Sequence, residues 1–302
     1  MRTRGIKRET ALALIPALAL VLAAPLAAAS EKPVRAAAGG KLVATGGVST
    51  IEGAAGGGIV PWAVIGGYGS RGQVGANAFY TRVDVADYHL DVVGGLVGID
   101  DRIELSFARQ RFDTEAVGAA LGLGKGYAIR QDVAGLKVRL FGDAVLDQDT
   151  WLPQVAAGVQ YKWNDRGGLL SAIGARRDAD ADFYASATKL FLEPGILATA
   201  TLRYTRANQG GILGFGGDKG DGRTLHPEVS VAWLASRNWV FGAEYRSKPD
   251  KLGIAKEDDW WDAFVAWVPN RHLSVTLAYA NLGSIVNQKG QDGIYASLQI
   301  GF

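Results

Sequence analysis

The feature that most constrains this chain is a period of two. In segment after segment of about ten residues, apolar side chains alternate with polar or small ones, the signature of strands rather than helices. Ile103, Leu105 and Phe107 oppose Glu104, Ser106, Ala108 and Gln110. Leu136, Val138 and Leu140 oppose Lys137 and Arg139. Leu273, Val275, Leu277 and Tyr279 oppose Ser274, Thr276 and Ala278, and Ile294 to Phe302 alternates without a break. The expected strands lie near 59–69, 87–98, 102–112, 131–142, 153–163, 181–192, 196–207, 226–234, 238–247, 260–268, 271–281 and 293–302.

Alternation alone suits either a soluble sandwich or a transmembrane barrel turned inside out, with apolar side chains toward lipid. Three features favour the barrel. The segments are long enough for a tilted strand to cross a bilayer. Connectors alternate in length: those at 99–101, 193–195, 235–237 and 269–270 are tight and 143–152 is moderately short, whereas 70–86, 113–130, 164–180, 208–225, 248–259 and 282–292 are long. Short periplasmic turns facing long outer loops are the habit of outer-membrane barrels. Finally, Trp151, Trp163, Trp233, Trp239, Trp260, Trp261, Trp267, Tyr161, Tyr245 and Tyr279 fall near strand ends, as two interfacial girdles require. The fold predicted is an all-β, antiparallel up-and-down transmembrane barrel of about twelve strands, with ten or fourteen as alternatives because 41–51 or 75–83 could add strands.

The chain opens with Arg2, Arg4, Lys7 and Arg8, then an apolar run from Ala11 to Ala29 ending in Ala27-Ala28-Ala29. This predicts a secretory signal peptide over 1–29, hence the bacterial outer membrane as destination. Without it the formal charge of +2 becomes −1, so the basic balance belongs to the export signal and offers nothing to nucleic acid. The chain has no cysteine, which excludes disulfides, thiolate metal sites and a cysteine nucleophile. Residues 30–58 are Gly- and Ala-rich, read as a periplasmic leader or a strap tucked into the lumen, and 59–302 as the barrel. Phe302 ends an alternating strand with an aromatic residue, as an assembly signal for the barrel-assembly machinery would.

The run Thr45-Gly46-Gly47-Val48-Ser49-Thr50-Ile51-Glu52-Gly53-Ala54-Ala55-Gly56-Gly57-Gly58, with Pro61-Trp62, and the stretch Arg102 to Asp113 resemble an uncharacterised bacterial outer-membrane family, domain of unknown function 3034. The resemblance covers most of the mature chain. It implies a Gram-negative outer-membrane protein and carries over no catalytic or binding residue.

Eight charged residues are expected to line the lumen: Glu104, Lys137, Arg139, Lys162, Arg203, Glu228, Glu244 and Arg246. Such a set either pairs across the lumen and closes it, or lines a narrow aqueous path. The function expected is a porin-like channel for small solutes and not an enzyme; a closed barrel with partner-binding outer loops is the alternative. A third reading, a lipid-modifying enzyme, rests on His272 and Ser274, two residues apart on one strand face. It suffers because Leu273, Val275 and Leu277 own the lipid side. The histidines His89, His226 and His272 are scattered, without metal-ligand spacing. Asp178, Asp180 and Asp182, and the Gly217–Gly222 loop, are acidic but lack a complete calcium-loop pattern. Gly122-Leu123-Gly124-Lys125-Gly126 lacks the glycine and hydroxyl residues of a phosphate loop and reads as a surface loop. No cofactor or metal is expected. The partners expected are outer-membrane lipid and lipopolysaccharide, whose phosphates Arg176-Arg177 suit, with a monomer favoured.

Overall fold

The alternation resolves into twelve long antiparallel strands closed on themselves. The structure is a computed structural model, and it describes residues 35–36, 40–124, 126–254 and 256–302. The predicted signal peptide lies outside the described residues. The strands are β1 (Gln73–Val85), β2 (His89–Ile99), β3 (Ile103–Asp113), β4 (Ala128–Phe141), β5 (Gln154–Asn164), β6 (Ala179–Phe191), β7 (Ile196–Thr205), β8 (Thr224–Leu234), β9 (Trp239–Arg246), β10 (Trp260–Asn270), β11 (Leu273–Asn281) and β12 (Asp292–Gly301). Each pairs with the next, and β12 returns to β1 with Gly293 opposite Val85 and Gly301 opposite Asn77, so no barrel edge stays unpaired. The Phe302 amide extends this seam, donating to the Ala76 carbonyl at 2.8 Å.

Side chains sort as the alternation requires. Leu277, Leu298, Val231 and Leu202 are exposed on the outer wall, while their neighbours Thr276, Ser297, Ser230 and Thr201 are buried within. A wall of exposed Leu, Val, Phe and Trp is stable against hydrocarbon, not water. Aromatic pairs mark both rims: Trp239 and Trp267 lie 6.3 Å apart toward one end, Trp261 and Tyr279 5.7 Å apart toward the other. Trp260 departs from the expected girdle; it points inward and is buried. On the outer face of β1–β4, toward the latter end, Arg82–Asp91 and Arg109–Asp132 pair across strands at 3.2 and 2.7 Å. Charges here place this band above the hydrocarbon, because an arginine at mid-depth costs about 2–4 kcal/mol.

The start of β1 and Phe302 share one end with connectors 100–102, 142–153, 192–195, 235–238 and 271–272. The other end carries 114–127, 165–178, 206–223, 247–259 and 282–291, together with one tight turn at 86–88.

One predicted strand is wrong. Residues 59–69 form no barrel strand; β1 is 73–85. Ile59, Val60, Trp62, Ala63, Val64 and Ile65 are all buried, so this run is covered on every side instead of facing lipid. Conversely β1 hides its alternation, because Phe79 and Val83 face inward and Arg82 and Asp84 outward. The inward apolar residues have a partner inside the barrel: Phe79, Val83, Leu90, Val92 and Phe112 belong to one apolar cluster with Ile51, Ile59 and Trp62.

Candidate functional site

The lumen is occupied by the chain's own N-terminal segment. Residues 45–66 form a strap inside the barrel, starting with a small hairpin in which Val48–Ser49 pair with Ala55–Gly56. A buried strap must satisfy its backbone polar groups, and the wall supplies partners along its length. Ser49 N–H donates to Gln299 Oε1 at 2.7 Å and Gln110 Nε2 to the Ile51 carbonyl at 2.8 Å. Glu104 accepts from Ala55 N–H at 3.1 Å and from Gly66 N–H at 2.7 Å. Lys137 Nζ donates to the carbonyls of Ala55 and Val64 at 3.1 and 2.8 Å. The Pro61 carbonyl accepts from Ser186 and Thr201, and Ala63 is held through N–H by Thr188 and through C=O by Gln154.

Glu52 is the centre of this arrangement. Its carboxylate lies 2.6 Å from Lys162 Nζ, 2.8 Å from Arg246 and 3.3 Å from Arg203. The wall completes the network: Lys162 also meets Asp182 at 2.7 Å, and Arg203 and Arg246 both meet Glu228. Lys137 and Glu104 pair at 3.0 Å. All these side chains are at most 2% exposed. A buried charge holds only with a partner of opposite sign, so the strap and wall neutralise each other.

Seven of the eight predicted lumen residues are thus brought together inside the barrel. Arg139 is not: it is half-buried at the rim that carries Phe302 and the start of β1, paired with Asp101 and Asp143. Sequence reasoning missed Glu52, Asp182 and Asp262. For Glu52 a signal existed, since it is the sole charged residue between Lys41 and Arg71, set in a Gly-rich run. Close approach is what those glycines serve: a Cβ on Gly57 would stand 2.1 Å from Glu244 Oε1.

The loop end is covered as well. Connector 206–223 turns inward at Asn208–Gly211, where the Gly210 carbonyl accepts from Lys162 Nζ at 3.0 Å and from Gln131 at 3.3 Å. Gln209 links this turn to Ser284 at 2.9 Å and to Lys248 at 2.9 Å, and Lys248 pairs with Glu257 at 3.0 Å. Burial pushes the Lys248 ammonium down and the Glu257 carboxyl up from their usual ranges, against their mutual attraction. Four of the five acidic residues considered for calcium are engaged otherwise: Asp180 by Arg206 and Arg223, Asp182 by Lys162 and Thr205, Asp221 by Arg177, and Asp218 by the Gly253 N–H. Arg177 is therefore committed within the loops. Gly122, Gly124 and Gly126 lie on connector 114–127, all with positive φ.

His272 and Ser274 are not assembled into a catalytic pair. His272 Nδ1 lies 3.0 Å from the Gly301 carbonyl, its ring beside Phe302, while Ser274 faces the lumen and its Oγ has no partner among the described residues.

Among the described residues, small cavities lie beside the strap. One, about 40 Å³, is apolar and bounded by Ile51, Ile59, Phe112, Ile212 and Trp260. Another, about 30 Å³, lies by Trp62, Tyr68, Phe264 and Ser274. Each has room for a few waters at most.

Comparison with known proteins adds the following. Among curated proteins, no sequence matches this chain. A KdgM porin in complex with disordered oligogalacturonate is 8% identical, with a TM-score of 0.45 over 74% of this chain and 96% of that one. The COG4313 outer membrane channel from Pseudomonas putida F1 is 10% identical, with a TM-score of 0.44 over 80% and 96%. Outer membrane phospholipase A from Escherichia coli is 7% identical, with a TM-score of 0.41 over 78% and 93%. Identities this low say nothing about solute or chemistry. In sequence, residues 45–299 match the protein family of unknown function DUF3034, covering both the strap and the barrel. The chain belongs to the DUF3034 family.

Proposed function

We propose that this protein is a porin-like barrel of the bacterial outer membrane whose small-solute pathway is closed by its own N-terminal strap. The observation that supports this reading is the chemistry of the strap's seat. The strap is held through the ion pairs of the Glu52 side chain and through single hydrogen bonds from its backbone to side chains of the wall. Water can replace each of these contacts, whereas a strap stitched into the sheet would be fixed by a strand ladder. Beneath it runs a wall of Lys137, Gln154, Gln160, Lys162, Thr201, Arg203, Glu228 and Arg246, which suits a hydrated path for small polar solutes. A twelve-stranded barrel is wider than the eight-stranded kind that side chains alone can fill.

The rest of the reading follows from orientation. The end bearing Phe302, the start of β1 and most short turns faces the periplasm, and the strap enters from it. The surrounding lipid and lipopolysaccharide meet the apolar wall and the charged band on β1–β4, and Phe302 serves the assembly machinery. The protein works as a monomer, and no step requires an enzyme activity or cofactor.

Planar-bilayer recording tests the proposal. The full chain should show rare or no openings, and a variant lacking residues 45–66 and the inward turn at Asn208–Gly211 should show steady ohmic steps. If the deleted barrel inserts yet never conducts, the lumen is a closed structural core and the pathway is refuted.

A further inference from the structure

The lumen's charges do not balance. Among the described residues, four buried cations face the strap, Lys137, Lys162, Arg203 and Arg246, and six buried carboxylates, Glu52, Glu104, Asp182, Glu228, Glu244 and Asp262. The first four carboxylates take up the four cations. Glu244 and Asp262 are left over.

These two stand side by side. Glu244 on β9 is directly opposite Asp262 on β10 and, on its other flank, Ser230 on β8, all on the lumen face. Both carboxylates are 3% exposed. Glu244 Oε1, Asp262 Oδ1, Ser230 Oγ and Tyr295 Oη are buried with no hydrogen-bond partner among the described residues. The strap rests on this group: Ile59 N–H donates to Glu244 Oε2 at 2.8 Å, Gly57 packs against the carboxylate, and a Cβ on Gly58 would stand 3.6 Å from Tyr295 Oη. The other groups facing the pair leave it uncompensated. Arg246, two residues along β9, is committed to Glu52 and Glu228. Beyond Asp262, β11 presents Ala280, and the strap offers glycines and Ile59.

Two carboxylates in one dry site cannot both ionise without a counter-charge. We infer that the Glu244–Asp262 pair is a proton-binding site that latches the strap: protonated, it lets Gly57–Ile59 seat, and deprotonated, it repels itself, draws in water and releases them. This rests on the gated-barrel reading above and names its control. The direction follows from the linkage. The seated form binds more protons than the released form, so it is favoured at low pH and lost as pH rises.

The test uses strap exposure and conductance separately. The chain has no cysteine, so Val60→Cys, buried beside Ile59, is a unique label. Its reaction with a membrane-impermeant thiol reagent is measured on the full chain in vesicles between about pH 5 and about pH 9, in the native and in the Glu244→Gln/Asp262→Asn backgrounds; the ratio cancels the thiol's own ionisation. The ratio should climb by about tenfold per pH unit for each proton lost once the pair ionises. A flat ratio overturns the latch. Asp262→Asn alone, which leaves Glu244 as the single carboxylate, serves as the reference if the double variant does not insert, and the ratio should then climb by the one proton that the second carboxylate contributes. A rising ratio with no conductance at any pH, even without the strap, keeps the latch and rejects the channel. A flat ratio with conduction in the strap-deleted barrel does the reverse.

Discussion

Replacing Glu52 by Gln removes one negative charge and almost no volume. In the folded protein that carboxylate stands within 3.3 Å of Lys162, Arg203 and Arg246. Asp182 still serves Lys162, and Glu228 is left to serve two guanidinium groups, so one guanidinium of this cluster loses its paired carboxylate. Breaking a buried pair in this way costs about 3–5 kcal/mol, which is roughly two to three and a half orders of magnitude in the ratio of seated to released strap. The loss should fall on the strap, because the three cations sit on β5, β7 and β9, whose ladders are untouched. Thiol labelling at Val60→Cys should therefore accelerate by that factor, while the heat-modifiable gel mobility of the barrel is unchanged. Glu52→Gln/Arg246→Met restores the balance and should recover most of the protection. Unchanged labelling in Glu52→Gln, or loss of the barrel itself, would refute the argument that Glu52 holds strap to wall.

Three further outcomes are expected. Leu277→Arg on the outer wall should cost about 2–4 kcal/mol in reversible unfolding from vesicles, whereas Ser230→Ala on the lumen side should cost far less. Gly57→Ala forces the Glu244 carboxylate aside and breaks its bond to Ile59 N–H, so strap labelling should rise at unchanged barrel stability. Burial pushes the Asp143 carboxyl up, but the amides of Leu146 and Val145 and the Arg139 guanidinium outweigh it and hold it below the usual range. Its contribution is therefore complete above the ordinary carboxylate range and lost as pH falls below it; the protection of the Val145 and Leu146 amides, taken relative to their intrinsic exchange rates, should fall on acidification, and not in Asp143→Asn.

Most of the wall was legible in the sequence, because a strand between lipid and a polar lumen must alternate. Ile294 to Gly301 and Leu273 to Asn281 do so cleanly and lie where the pattern places them. The same logic failed at 59–69 and 73–85, since the strap puts apolar surface inside the barrel. Val83 lines the same small cavity as Ile59 and Ile51, Phe79 belongs to the same apolar cluster, and the pattern of two is blurred. Lumen charges were legible as inward positions on β3 to β9, apart from Arg139, which the strand end carries to the rim.

By itself the sequence determined the architecture and its sidedness, because lipid and backbone hydrogen bonding admit few solutions and each strand reports its own facing residue by residue. Only the tertiary structure decided that the lumen is filled, that Glu52 meets three cations from three strands, and that Glu244 and Asp262 are left without one. Those facts depend on distances between residues 100–200 positions apart, where the strap's path and the barrel's closure, not local pattern, set which charges meet.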